Sequence, residues 1–268
     1  MLAIDPTARV APGAVIGADV SLGPYCVIGP QVAIGDGCRI ASHVCISGRT
    51  SIGARTSIGP FSSLGSPPQS VHYHGEDTTL TVGSDCDIRE HVTINIGTVK
   101  GRGTTTVGDR CFLMTGAHVG HDCVVGDNVT FANNATLGGF CEIGNHVFLG
   151  GLCAIHQFVR IGERVMVGGL VGVTLDVIPY TIVIGHRGEL AGLNRVGLKR
   201  GGIPTAQIHG IYRAYKALFF GPGTLAERVK AIADTHADDP AVMRIVQFIR
   251  SGKARRLTTP RRGGERDE

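Results

Sequence analysis

From Ile4 onward, every sixth residue of the chain is apolar: Val10, Ile16, Leu22, Ile28, Ile34, Ile40, Ile46, Ile52, Ile58 and Leu64. The register resumes at Val82, Ile88 and Ile94. It then runs from Val107 through Leu113, Val119, Val125, Phe131, Leu137, Ile143, Leu149, Ile155, Ile161 and Val167 to Val173. Gly most often follows the anchor, as in Ile16-Gly17 and Val125-Gly126. A period of six fits neither a helix nor an alternating strand. It is the pattern of a hexapeptide parallel β-helix, in which each hexad is one short strand plus a turn. Three hexads close one triangular coil, so residues 18 apart stack at about 4.8 Å.

The regular region spans residues 1–179 and is interrupted twice, at 66–80 and at 97–106. The first break carries Pro67, Pro68 and a run of polar residues that cannot continue a sheet. Long loops are unusual in a strict repeat, and insertions at one edge of a solenoid are where binding is commonly built. After Tyr180 the hexads stop, and 180–203 reads as an irregular connection. Helical spacing of Ile208, Ile211, Tyr212, Tyr215 and Phe219 predicts a helix over 204–219. Thr224 and Glu227 form a capping box before Leu225, Val229 and Ile232, and Pro240 opens a third helix with Val242, Ile245, Phe248 and Ile249 on one side. Residues 180–250 thus form a connection and a helical C-terminal domain that covers the last coil. Residues 251–268 read as a basic, disordered tail.

Composition refines this picture. Forty Gly and no Trp suit thin strands and tight corners. Cys26, Cys38, Cys86, Cys111, Cys123, Cys141 and Cys153 all fall four residues after an anchor, the small inward position, so they read as buried thiols; only Cys45 is out of phase. The net charge of +4 conceals 16 Lys and Arg against 8 Asp and Glu in residues 185–268. That basic end is either a solvated surface or a dock for an acidic partner. The chain start lacks a secretory signal and no run approaches a membrane span, so the expected compartment is the cytoplasm. No nucleic-acid partner is expected.

Two of the 11 histidines' settings invite chemistry. His43, His91 and His146 sit at coil corners and read as solvated. His118 and His121, in Ala117-His118-Val119-Gly120-His121-Asp122-Cys123, lack a third ligand at useful spacing for zinc, and no metal is expected. A general base is the better reading, because a neutral His near pH 7 can take a proton from a hydroxyl or amine. The stacking rule aligns His121, Gly139 and Gln157 in one column, and Gly139 exposes a backbone N–H suited to an oxyanion. That column is either a catalytic groove or a polar seam.

The segments 88–94, 117–123, 133–139, 156–158, 166–169 and 197–200 occur together and in order (IleArgGluHisValThrIle, AlaHisValGlyHisAspCys, AsnAsnAlaThrLeuGlyGly, HisGlnPhe, MetValGlyGly and GlyLeuLysArg). With them the chain closely resembles the UDP-N-acetylglucosamine O-acyltransferases of lipid A biosynthesis, the LpxA family. The resemblance covers nearly the whole chain. It implies a left-handed β-helix with a helical C-terminal domain, assembled as a homotrimer with active sites between subunits. It implies a 3-hydroxyacyl acyl carrier protein as donor, UDP-N-acetylglucosamine as acceptor and no cofactor. His121 matches the base and Gly139 the glycine whose N–H faces the thioester oxygen. His118, His156 and Gln157 match substrate contacts, Asn194 and Arg200 match residues at the nucleotide or donor end, and Gly169 matches an acyl-length ruler.

Five positions depart from the family pattern. A Gln-Asp-Leu-Lys-Tyr run is replaced by Gln69-Ser70-Val71-His72-Tyr73, a His by Phe140, and a Glu and an Arg by Val196 and Gly201. Ser70 and His72 would then contact the substrate in place of Asp and Lys. The acceptor could therefore be the 3-amino analogue of the UDP-sugar, whose amine is the better nucleophile. A divergent hexapeptide paralogue with altered or no acyltransferase activity is the remaining reading.

Overall fold

The computed structural model describes residues 3–252 and 256–260. The hexads fold as their period requires. Most become two-residue strands ending on the anchor, such as Ser21–Leu22, Val27–Ile28 and Ala33–Ile34. Leu22 pairs with Ile40 and Val27 with Cys45, the expected 18-residue register. Three sheets of 11, 9 and 8 strands form three faces of a prism. The first face starts at Ala3–Ile4, the second at Arg9–Val10 and the third at Val15–Ile16.

Two-residue strands have no stability alone; the stacked anchors hold them. Ile28, Ile46, Ile58, Leu64, Leu113 and Leu137 are all buried, and each contributes about 1.5–3 kcal/mol by leaving water. Ile4, in the first strand of the described residues, remains 40% exposed. The seven in-phase cysteines are buried, and Cys45 points outward on the second face with intermediate burial.

Both interruptions leave the corner between the second and third faces, and both are shorter than the sequence implies. Arg49–Ile52, Thr79–Val82 and Thr104–Val107 are four-residue strands paired along their whole length. Their alternation turns Leu80 and Thr105 inward, so β-branched and apolar residues extend the sheet into the expected loops. The excursions reduce to 67–78 and 96–103.

The expected irregular connection is also corrected. Thr181–Ile184 adds to the first face beside Met166–Val167, and Glu189–Leu193 returns antiparallel to it. Thr181 and Val183 are buried in alternation, which is a strand pattern too short to stand out in the sequence. A short helix, α1 (Arg195–Arg200), follows. α2 (Thr205–Phe220), α3 (Leu225–Thr235) and α4 (Pro240–Arg250) match the predicted helices. The Thr224–Glu227 capping box is present. Tyr212 and Leu225, expected on apolar faces, are each 39% exposed; Ala214 and Leu218 fill the α2 contact instead. Arg160 joins α4 to the coils, stacking 4.4 Å over Phe248 and pairing with Asp176.

Part of the expected disordered tail is ordered. Leu257 bridges to Asp176 and Pro260 to Leu190, and the buried Thr258 donates its N–H to the Asp176 carbonyl. Residues 253–255 and 261–268 lie outside the described residues. Among the described residues, no helix is long and apolar enough to cross a membrane.

Candidate active site

His121, Gly139 and Gln157 occupy the corner from which both excursions emerge. They stack in successive coils: the Phe140 N–H donates to the His121 carbonyl at 2.9 Å and the Phe158 N–H to the Gly139 carbonyl at 3.0 Å. Asp122, Phe140 and Phe158 make the corner turns with φ of 59°, 64° and 65°. Gly138 and Phe140 donate to carbonyls of neighbouring coils, whereas the Gly139 N–H donates to no backbone carbonyl among the described residues. It is therefore a donor available at the surface of the corner.

Asp122 organises this corner. Its side chain is fully buried. It accepts from the Thr98 N–H, the Thr98 hydroxyl at 2.7 Å and the Arg102 N–H at 2.7 Å. It also lies 2.8 Å from His121 Nδ1. A carboxylate only accepts, so Nδ1 is the donor of this contact, and in the neutral imidazole it is Nε2 that keeps its lone pair. The imidazole is 18% exposed and lies nearly perpendicular to the Phe140 ring, with the ring centroids 4.9 Å apart. Phe140 in turn stacks on Phe158 at 4.4 Å. The same buried carboxylate thus holds the second excursion and orients the His121 ring. Arg102 adds an ion pair to Glu142 outside it.

A cavity of about 210 Å³ lies over His121. The first excursion contributes Ser70, His72, Tyr73 and Glu76 to its wall; the second contributes Thr98, Val99 and Lys100; the coils contribute His121, Phe140 and Gln157. The Glu76 carboxyl is held below its usual range by the His74 N–H, which donates to it at 2.9 Å.

Other predicted residues are placed around this centre. His118 lies on the second face, 2.7 Å from the Thr93 hydroxyl, and burial, followed by the charge of His121, pushes its pKa down. His156 is exposed beside Gln157, with Nδ1 3.1 Å from the Gln157 carbonyl. Asn194, Arg200 and Gly169 do not reach the cavity. Asn194 caps α1 by accepting from Gly197 and donates to the Arg164 carbonyl. Arg200 is exposed at the end of α1. Gly169 stacks against Gly151 at the other edge of the second face. Of the departures from the family pattern, Ser70, His72 and Phe140 line the cavity, whereas Val196 is exposed and Gly201 ends α1.

The sequence reading missed the buried role of Asp122, whose signal was an acid directly after a histidine. It also missed Glu76 and Lys100, which carry no periodic signal. Among the described residues, no three His, Cys, Asp or Glu side chains converge as a metal-binding group.

A hexapeptide prism with an oriented histidine and a backbone donor at one corner defines a transferase of the hexapeptide-repeat class. Two stretches, 13–48 and 104–139, match the model "Bacterial transferase hexapeptide (six repeats)". Residues 176–258 match the model for domain 2 of UDP-N-acetylglucosamine O-acyltransferase. The chain is 56% identical over 260 residues to the acyl-[acyl-carrier-protein]–UDP-N-acetylglucosamine O-acyltransferase of Azorhizobium caulinodans, covering 97% of this chain and 96% of that protein. A solved UDP-N-acetylglucosamine acyltransferase superposes with a TM-score of 0.93 at 40% identity, covering 96% of this chain and 99% of that one. LpxA from Acinetobacter baumannii gives 0.91 at 37% identity, with the same two coverages of 96% and 99%. The chain belongs to the UDP-N-acetylglucosamine O-acyltransferase (LpxA) family of acyltransferases, and its prism is the left-handed parallel β-helix of that family.

Proposed function

We propose that the chain transfers a 3-hydroxyacyl group from acyl carrier protein to the 3-position of UDP-N-acetylglucosamine, the first step of lipid A biosynthesis, in the cytoplasm. The observation that carries this reading is the His121–Asp122 pair beside the Gly139 N–H. In the proposed reaction, Nε2 of His121 removes the proton of the sugar 3-hydroxyl as the oxygen attacks the thioester carbonyl. Asp122 stabilises the imidazolium that forms. The Gly139 N–H donates to the developing oxyanion. Collapse expels the carrier's thiolate, which takes the proton from the imidazolium. Ser70, His72, His118, His156 and Gln157 are assigned to substrate contacts around this centre, and Asn194 and Arg200 to the nucleotide or donor end.

A homotrimer belongs to the same proposal. Gly169 and His121 sit at opposite edges of the second face, so one acyl groove can include both when a second copy lays its edge against the first. Above Arg9, the strands of that face hold no Lys, Arg, Asp or Glu; their outward residues include Val27, Cys45, Ser63, Thr93, Thr136, Ala154 and Gly172. Exposed Phe61, Leu152 and Leu170 line its edge. Strands without charge, beside an edge that carries three exposed apolar side chains, suit burial against another subunit.

A second acceptor reading, the 3-amino analogue of the UDP-sugar, is favoured by Ser70 and His72 lining the cavity in place of an acid and a lysine. Purified protein offered both sugars with a panel of 3-hydroxyacyl carrier proteins tests both, with products identified by mass. Preference for the hydroxyl sugar, or equal turnover of the two, rejects the amine reading. Absence of transfer to either sugar rejects the acyltransferase reading.

A further inference from the structure

We propose that Lys100 is a substrate-positioning residue whose ammonium binds a phosphate of the sugar nucleotide held over His121. The inference rests on the acyl-transfer reading above and adds to it a residue on the second excursion.

Lys100 lines the same cavity as His121 and is the one Lys or Arg in its wall. The backbone on both sides of it is fixed. Thr98 donates its N–H and hydroxyl to Asp122, and Arg102 donates its N–H to Asp122 at 2.7 Å. Gly101, next to Lys100, is pressed so closely against the Asp122 carboxylate and the Phe140 ring that a Cβ there would collide with both. The tip of the excursion is thus seated on the carboxylate that contacts His121, and this backbone carries Lys100 into the cavity wall.

Its charge is unspent. Arg102, two residues on, pairs with Glu142. Lys100 forms no ion pair or hydrogen bond of its side chain among the described residues, and the side chain is exposed. Glu76, the carboxylate in the same wall, accepts the His74 N–H and does not pair with Lys100. An exposed, unpaired lysine in the wall of a reaction cavity is matched best by a ligand with a permanent negative charge. Both substrates carry phosphate: the acceptor as a diphosphate, the donor as the phosphodiester of its pantetheine arm. The acceptor is favoured because its sugar must reach His121, which keeps its diphosphate within a short span of the cavity.

Steady-state kinetics of the full chain, wild type against Lys100→Gln and Lys100→Arg, test this with each substrate varied in turn. Lys100→Gln is expected to raise KM for the UDP-sugar about tenfold while kcat changes less than about threefold, and Lys100→Arg to restore most of the loss. A KM rise confined to the acyl carrier protein overturns the acceptor assignment and moves the ammonium to the donor's phosphodiester. Unchanged KM values for both substrates overturn the proposal, as does equal loss in the Gln and Arg variants. Calorimetric binding of UDP-N-acetylglucosamine separates the two levels. If wild type binds the nucleotide more tightly than Lys100→Gln but transfers nothing, the acyl-transfer reading fails and the phosphate contact stands. If wild type transfers normally and both bind equally, the phosphate contact fails alone.

Discussion

The imidazole of His121 rests on the α-carbon of Gly139: a Cβ at residue 139 would stand 2.7 Å from both Nε2 and Cε1. The His121 ring and the neighbouring Gly139 N–H are therefore set by one contact between adjacent coils. The sequence explains Gly139 by exposure of its N–H; the structure adds that only hydrogen fits beneath the imidazole. Gly139→Ala should displace His121 and lower kcat about a hundredfold without unfolding the coils. Kinetics paired with thermal denaturation check this, and wild-type turnover in the variant would contradict it.

Asp122 holds Thr98, Arg102 and His121 together. Asp122→Asn replaces one acceptor oxygen with a donor, so some of these bonds are lost and the imidazole tautomer is no longer fixed. We expect kcat to fall about a thousandfold. Faster proteolytic cleavage within 96–103 should accompany it, because the same carboxylate seats the excursion. Loss of activity with an unchanged cleavage rate would separate the two roles.

How much of this was legible follows from what each residue repeats. The anchors and inward cysteines recur every six residues, so the prism, its register and the His121–Gly139–Gln157 column are readable without coordinates. Asp122 was visible as a neighbour of His121, but its partners come from residues 98 and 102, in an excursion that obeys no period. The hairpin 181–193 and the 256–260 segment were misread for the same reason. Their short strands bind to the prism through backbone bridges that no side-chain pattern announces.

His118 makes stability depend on pH. Burial first, and His121 second, hold its pKa below the ordinary 6.5. The unfolded chain therefore binds a proton at this site more readily than the folded one. The contribution is fully present above pH 6.5 and declines as pH falls through that value towards the lower folded pKa. Melting temperatures measured from about pH 8 to about pH 5.5 should fall on the acid side, and His118→Gln should flatten that fall.

Leu152 and Leu170 at the edge of the second face offer a test of the proposed homotrimer. Leu152 and Leu170 are 59% and 63% exposed in the single chain. If a second copy covers them, the double variant Leu152→Asp, Leu170→Asp should convert a trimer to smaller species while its β-rich circular dichroism persists. Light scattering reads the mass directly. A wild-type monomer would remove the intersubunit groove.

Gly169 lies 3.2 Å from the Gly151 carbonyl, measured from where its Cβ would stand. Gly169→Met should project into any acyl chain passing that edge. It should shift donor preference towards shorter 3-hydroxyacyl groups, read from competition between carrier proteins of different chain length. An unaltered preference would place the end of the groove elsewhere.

His121, oriented by Asp122, is the proposed base for acyl transfer. The most direct measurement is product formation, identified by mass, from a 3-hydroxyacyl carrier protein and UDP-N-acetylglucosamine, with wild-type and His121→Ala protein of matched oligomeric mass. The expected result is acylated sugar nucleotide from the wild type and a loss of at least about a thousandfold in the variant. Turnover by His121→Ala at the wild-type rate would exclude His121 as the base.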